Sequence, residues 1–316
     1  MTQTLFRLFR LSLLTLAACG LCASVAQAET GKLLLTGGVS SIDGAAGGGL
    51  TPWAVIGSNA TEGQVGGTAA LTRVSTQDYG LTVASAALGW HDRVELSLAR
   101  QDFGASPAYQ LNGIAPFGVA PDAHIKLDII GLKVRVAGEA VLDSDRWMPQ
   151  IAVGLEHKRV RPGSIGSVLD FLGSKREGTD LYVSATKLLL GQGLLLNATL
   201  RSTKANQNGL LGFGSGTPGK NGRSLQPEFS AACLLSSQFA VGAEYRFKPN
   251  KLEALGAAAG LGPALREDDW KDIFVAWAPT KHFSLTLAYV DLGRIVPGIT
   301  ASRRQTGGYL SAQVTF

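Results

Sequence analysis

Cysteine is scarce: the 316-residue chain has three, and Cys19 and Cys22 fall within its first thirty residues. Trimming that stretch would leave Cys233 alone, so no internal disulfide could form. In an oxidising compartment something else must then hold the fold, and a continuous ladder of backbone hydrogen bonds would serve. Long apolar runs are missing too. Past residue 28 no stretch reaches the ~18 apolar residues that a membrane-crossing helix needs, which excludes a helical membrane protein. Charged residues make up only 17%, while 45% are hydrophobic and 40 are glycine. That balance suits a sheet with one face in lipid better than a soluble α/β domain.

What the N-terminus does contain is an export signal. Arg7 and Arg10 precede an apolar stretch from Leu11 to about Ala26, and Ala26-Gln27-Ala28 supplies a small-x-small cleavage site. The mature chain would begin at Glu29, and losing two arginines lowers the net charge from +5 to +3. Leu16-Ala17-Ala18-Cys19 also fits a lipoprotein box, which would make Cys19 the first mature residue.

The mature region carries period-two alternation, the mark of strands with two unlike faces. Val94, Leu96 and Leu98 alternate with Glu95, Ser97 and Gln101; Ile151, Val153 and Leu155 with Ala152, Gly154 and Glu156. Leu194, Leu196, Ala198 and Leu200 oppose Leu195, Asn197, Thr199 and Arg201. Phe239 to Phe247 and Phe283 to Tyr289 behave alike. From His124 to Val136 the phase slips near Ile130-Gly131, as a β-bulge would produce. Lys187, beside Leu188-Leu189-Leu190, could point either way. Short connections near 91–92, 143–146, 191–193, 236–238 and 279–282 alternate with long ones near 102–123, 159–178, 205–223, 249–269 and 293–305. That is the pattern of short periplasmic turns and long outer loops. The last strand alternates to its end at Phe316, a terminus like the signal by which the barrel-assembly machinery recognises its clients.

These features predict an all-β, antiparallel transmembrane β-barrel of 12 strands counted from about Val65, inserted in the bacterial outer membrane among lipid and lipopolysaccharide. Residues 32–39 and 50–57 could raise the count to 14, although Leu33-Leu34-Leu35 does not alternate and Pro52 interrupts the second. Residues 29–64 thus form a Gly-rich segment, either an extra hairpin or a lumen plug, ahead of a barrel over 65–316. Trp53, Tyr79, Trp90, Trp147, Trp270, Trp277, Tyr289 and Phe316 are expected in interfacial girdles. Cys233 is expected to be buried or lipid-facing.

Chemistry-bearing motifs are weak. Gly214 to Asn221 nearly spells a phosphate loop, but Asn221 stands where a magnesium-binding hydroxyl is required and no strand-loop-helix surrounds it. His91, His124, His157 and His282 show no metal-ligand spacing, and no Gly-x-Ser-x-Gly elbow occurs. Glu267, Asp268, Asp269 and Asp272 could hold a cation or merely edge a loop. Lys158, Arg159, Arg161, Lys175 and Arg176 make one outer loop basic, suited to lipopolysaccharide phosphates or an anionic solute. No catalytic residue, metal, cofactor or nucleic-acid partner is expected. The inward polar set is Glu95, Lys126, Asp128, Glu156, Asn197, Arg201, Glu228, Glu244, Arg246 and Asp272. It could line a porin-like or solute-uptake channel, or pair across strands in a closed structural or adhesion barrel with a plugged lumen. A hydrolase assembled around His157 is a third reading.

Five stretches carry a resemblance: Gly48 to Val55, Asp92 to Gln101, Gly178 to Val183, Thr203 to Gln207, and Ala288 to Gly293. They resemble a proteobacterial family of unknown function, described as outer-membrane proteins. The resemblance covers nearly the whole mature chain. It implies an outer-membrane barrel and brings no catalytic residue with it.

Overall fold

The computed structural model describes residues 32–114, 116–140, 147–300 and 302–316; the leader, Cys19 and Cys22 lie outside them. A two-residue pair, β1 (Val39–Ser40) and β2 (Ala46–Gly47), precedes the barrel strands. These are β3 (Val65–Thr76), β4 (Gly80–Trp90), β5 (Val94–Gly104), β6 (His124–Ala137), β7 (Gln150–Arg161), β8 (Glu177–Leu189), β9 (Leu194–Thr203), β10 (Ser224–Leu234), β11 (Phe239–Arg246), β12 (Trp270–Thr280), β13 (Phe283–Asp291) and β14 (Thr306–Thr315). Each pairs antiparallel with its sequence neighbour, and β14 returns to β3, so the 12-strand sheet has no free edge. At the seam, Phe316 and Gly67 exchange backbone hydrogen bonds of 2.8 and 3.1 Å. Closure leaves no ladder group to be satisfied by lipid. Residues 32–64 contribute no barrel strand, which decides against 14.

Long connections at 105–123, 162–176, 204–223, 247–269 and 292–305 share one end with the tight turn 77–79. The other end has shorter links at 91–93, 190–193, 235–238 and 281–282, and β6 and β7 also connect there; the short turn expected at 143–146 lies outside the described residues. The outside of the barrel is apolar: Leu71, Leu98, Leu196, Phe229, Ile273 and Leu287 are among its exposed side chains.

The phase slip expected in β6 is absent. Its register against β5 and β7 runs unbroken through Ile130 and Gly131, and shifts only between Arg135 and Ala137. What changes is the environment inside. Ile125, Leu127 and Ile129 face inward because the lumen near the long loops is apolar; Lys133 faces inward lower down, where it is polar. Hence Lys126 and Asp128, read as inward, project outside the barrel. Lys126 lies 3.8 Å from Asp102, and Asp128 pairs with Arg100 at 2.6 Å and Arg161 at 2.7 Å.

The girdle assignment divides as well. Trp90, Trp147, Trp277, Tyr289 and Phe316 are exposed, whereas Trp53, Tyr79 and Trp270 are buried. A ring near a strand end can face either way, and these three fill the interior. Lys187 lies on the outward face of β8 while Leu188 is fully buried. Cys233 is exposed on the outside of β10.

Candidate functional site

Inside the barrel lies the chain's own N-terminal segment. Residues 39–58 are all buried and bond to eight strands. Ser40 N donates to Gln313 of β14 (2.6 Å), Leu50 N to Glu244 of β11 (2.7 Å), Ala54 N to Thr186 of β8 (2.7 Å) and Trp53 Nε1 to Ser230 of β10 (2.9 Å). The carbonyl of Pro52 accepts from Thr199 of β9 (2.8 Å), and that of Ala54 from Gln150 of β7 (2.8 Å). Glycine makes this fit achievable. A Cβ on Gly48 would collide with the Glu244 carboxylate and the Trp53 ring, and one on Gly44, at φ +93°, would press against Ala99.

Two charged clusters grip the segment. Nearer the short turns, Glu95 and Lys133 stand opposite each other on β5 and β6, 3.1 Å apart. Glu95 accepts from Ala46 N (3.0 Å) and Gly57 N (2.6 Å), while Lys133 Nζ donates to the carbonyls of Ala46 (3.0 Å) and Trp53 (3.2 Å). Nearer the long loops, Asp43 enters a cluster of Lys158, Arg201 and Arg246 with Glu156, Asp180 and Glu228. Lys158 reaches Asp43, Glu156 and Asp180 at 3.1 to 3.3 Å. Arg201 reaches Glu156 at 2.7 Å and Glu228 at 2.6 Å, and Arg246 reaches Asp43 at 3.0 Å. Asn208, on the 204–223 loop, donates to Asp43 (2.7 Å) and accepts from Lys158 (3.0 Å) and Arg246 (2.7 Å). Burial would raise the Asp43 pKa, but the three cations and Asn208 outweigh it and hold the carboxyl below its ordinary range. Buried charges survive only when paired and hydrogen-bonded, a condition this arrangement meets around Asp43.

Of the inward set named above, Glu95, Glu156, Asn197, Arg201, Glu228, Glu244, Arg246 and Asp272 are buried inside the barrel. Glu244 stands beside Asp272, not Arg201 or Arg246, in its ladder pair, and is satisfied by Leu50, Thr51 and Ser230. Asp43, Lys133, Lys158, Asp180 and Asn208 were not anticipated. Lys158 was legible, since it shares the inward phase of Glu156 two residues earlier; assigning it to a basic outer loop was an error of register. Asp43 and Asn208 sit in irregular segments where no alternation exists to point at them.

The other motifs disperse. Glu267 meets Lys248 at 3.5 Å, Asp268 meets Arg294 at 2.8 Å, Asp269 accepts from Tyr245, and Asp272 lies inside the barrel. No metal-binding cluster occurs among the described residues. His157 is exposed on β7, sharing a 3.1 Å hydrogen bond with Thr179.

Residues 36–313 match the family model described as protein of unknown function, DUF3034. The chain belongs to this family. No curated relative matches the sequence. Among solved structures, the DUF3034 chain is similar to the NanC porin at 10% identity, with 78% of this chain and 98% of that one covered and a TM-score of 0.47. A channel of the outer membrane from Pseudomonas putida F1 gives 11% identity, 82% and 96% coverage, and 0.46. A Salmonella typhi outer membrane phospholipase gives 11%, 78%, 90% and 0.40.

Proposed function

We propose that this DUF3034 protein is an outer-membrane barrel held shut by its own N-terminal segment, and that solute passes only when that segment moves. The observation that carries this reading is the bonding of residues 39–58 to eight strands around the lumen. An open porin keeps its charged residues wet; here Arg201, Lys158 and Glu156 are at most 2% exposed and spend their charges on each other and on Asp43. The apolar outer surface supports insertion in a bilayer, and the long loops then face the cell exterior. Outward-facing Arg100, Lys126 and Arg161 near that end would meet the phosphates of lipopolysaccharide. Phe316, at the seam, is the natural handle for the barrel-assembly machinery.

The test is conductance in planar bilayers. The full chain should be silent or open only in rare bursts, and deleting residues 40–49 should produce steady conductance. A full chain that conducts steadily at low voltage would overturn the reading, and so would a deletion variant that folds as a barrel and stays silent.

A further inference from the structure

At the long-loop end, above the N-terminal segment, the barrel holds a partly open cavity of about 190 Å³. Ile42 and Leu50 of the segment form part of its floor, Phe103 and Trp270 part of its wall, and Phe171 and Ile299 part of its roof. Among the described residues no charged side chain lines it. An apolar cavity of ~150 Å³ in a protein core stays dry and takes up benzene, so this one is the right size for a single substituted ring.

Three polar side chains line it, and one of them is already engaged: Tyr79 donates its hydroxyl to the Ile295 carbonyl at 3.4 Å. Gln207 and Trp270 both line the cavity and are 5% and 4% exposed, yet Gln207 Oε1 and Trp270 Nε1 have no hydrogen-bond partner among the described residues. A short chain of contacts joins them. The backbone N–H of Gln207 donates to Glu267 (2.6 Å), Glu267 pairs with Lys248 (3.5 Å), and Lys248 Nζ sits 3.6 Å from the centre of the Trp270 ring. An acceptor and a donor thus belong to residues that line the chamber, both buried and without a partner among the described residues.

We propose that this chamber binds a small uncharged monocyclic aromatic carrying one hydroxyl. The ring fills the apolar volume. The hydroxyl, able both to donate and to accept, answers Gln207 and Trp270. An ionised analogue would be stranded without a counter-charge, so the site discriminates by charge as well as by size. Binding needs no movement of the N-terminal segment and does not depend on whether the barrel conducts.

Equilibrium dialysis of the full chain in detergent against p-cresol, with a protein-free micelle blank, tests this. Saturable uptake of one molecule per chain is expected, with benzoate binding at least tenfold more weakly. Ala108→Phe and Leu210→Trp, on different loops, each fill the chamber and should weaken p-cresol binding at least tenfold; heat-modifiable gel mobility checks that the barrel has formed. Gln207→Leu should bind toluene as the parent does while losing the preference for p-cresol. Uptake equal in parent and filled variants would mean partition into micelles and overturn the proposal. Absence of saturable uptake, benzoate binding as tight as p-cresol, or tighter binding of a straight-chain alcohol would each overturn it too.

Discussion

Asp43 and Arg246 lie 3.0 Å apart, and Asp43 is the only ionisable side chain between residues 38 and 58. Asp43 is therefore the one charge the segment brings into the barrel; Glu95, Lys133, Glu244 and Arg246 otherwise hold it through its backbone and a neutral hydroxyl. Asp43→Asn removes that charge while Lys158, Arg201 and Arg246 keep Glu156, Asp180 and Glu228 as partners, so the loss falls on docking of the segment. Hydrogen bonds to a charged group contribute about 1.5–3 kcal/mol each, which corresponds to roughly 10- to 100-fold more frequent release. Amide exchange in residues 39–58 should accelerate by that factor, with strand amides unchanged. Uniform acceleration across the barrel would show that Asp43 stabilises the sheet instead.

The same carboxylate sets an acid limit. Because the folded pKa of Asp43 is depressed, its contribution is fully present above the ordinary carboxylate pKa of ~3.9 and is lost only as pH falls through the lower folded value. The difference in segment exchange and in conductance between the full chain and Asp43→Asn should therefore be flat from about pH 8 down to about pH 4. A release midpoint within that window would have to come from another group.

Glu95 and Lys133 permit a cleaner energetic separation, since each faces the other across a ladder pair and both bond the segment's backbone. Lys133→Met leaves Glu95 buried without its counter-charge and should cost about 3–5 kcal/mol. Adding Glu95→Gln removes the stranded charge, so the double variant should be more stable than Lys133→Met alone. Denaturant titration of the detergent-refolded protein reads both, and strict additivity would show that the pair is not coupled.

Why the fold was more legible than the site follows from where each is written. Strand alternation records a contrast between the two faces, and Val94 to Gln101 or Phe239 to Phe247 show it because lipid lies on one side and polar groups on the other. In β6 the contrast reverses part-way: Ile125, Leu127 and Ile129 line an apolar chamber, then Lys133 meets polar backbone, and an unbroken strand imitates a bulge. The same reversal sent Lys126 and Asp128 to the wrong face. The residues that close the lumen belong to loops, where neither period nor composition reveals what a side chain will touch. Asn208 is the sharpest case: at φ +61° beside Gln207 at φ +47°, it turns to Asp43 while its neighbour lines the chamber.

Lys248 gives that chamber an internal reporter. Its ammonium lies over the Trp270 ring, and burial holds its pKa below the ordinary lysine value even though Glu267 opposes the shift. A lysine whose folded pKa is lowered makes the folded state less stable while it is charged; stability should therefore rise as pH climbs through the folded pKa and level off near ~10.4, the value for free lysine. Losing the charge also removes a cation–π contact, so the emission of Trp270 should change over the same interval. The signal is the difference between the parent and Trp270→Phe, which cancels the other indoles. Its midpoint should fall below that of a free lysine, and Lys248→Met should abolish the transition while leaving the barrel intact. A transition that survives Lys248→Met would assign the titration to another group.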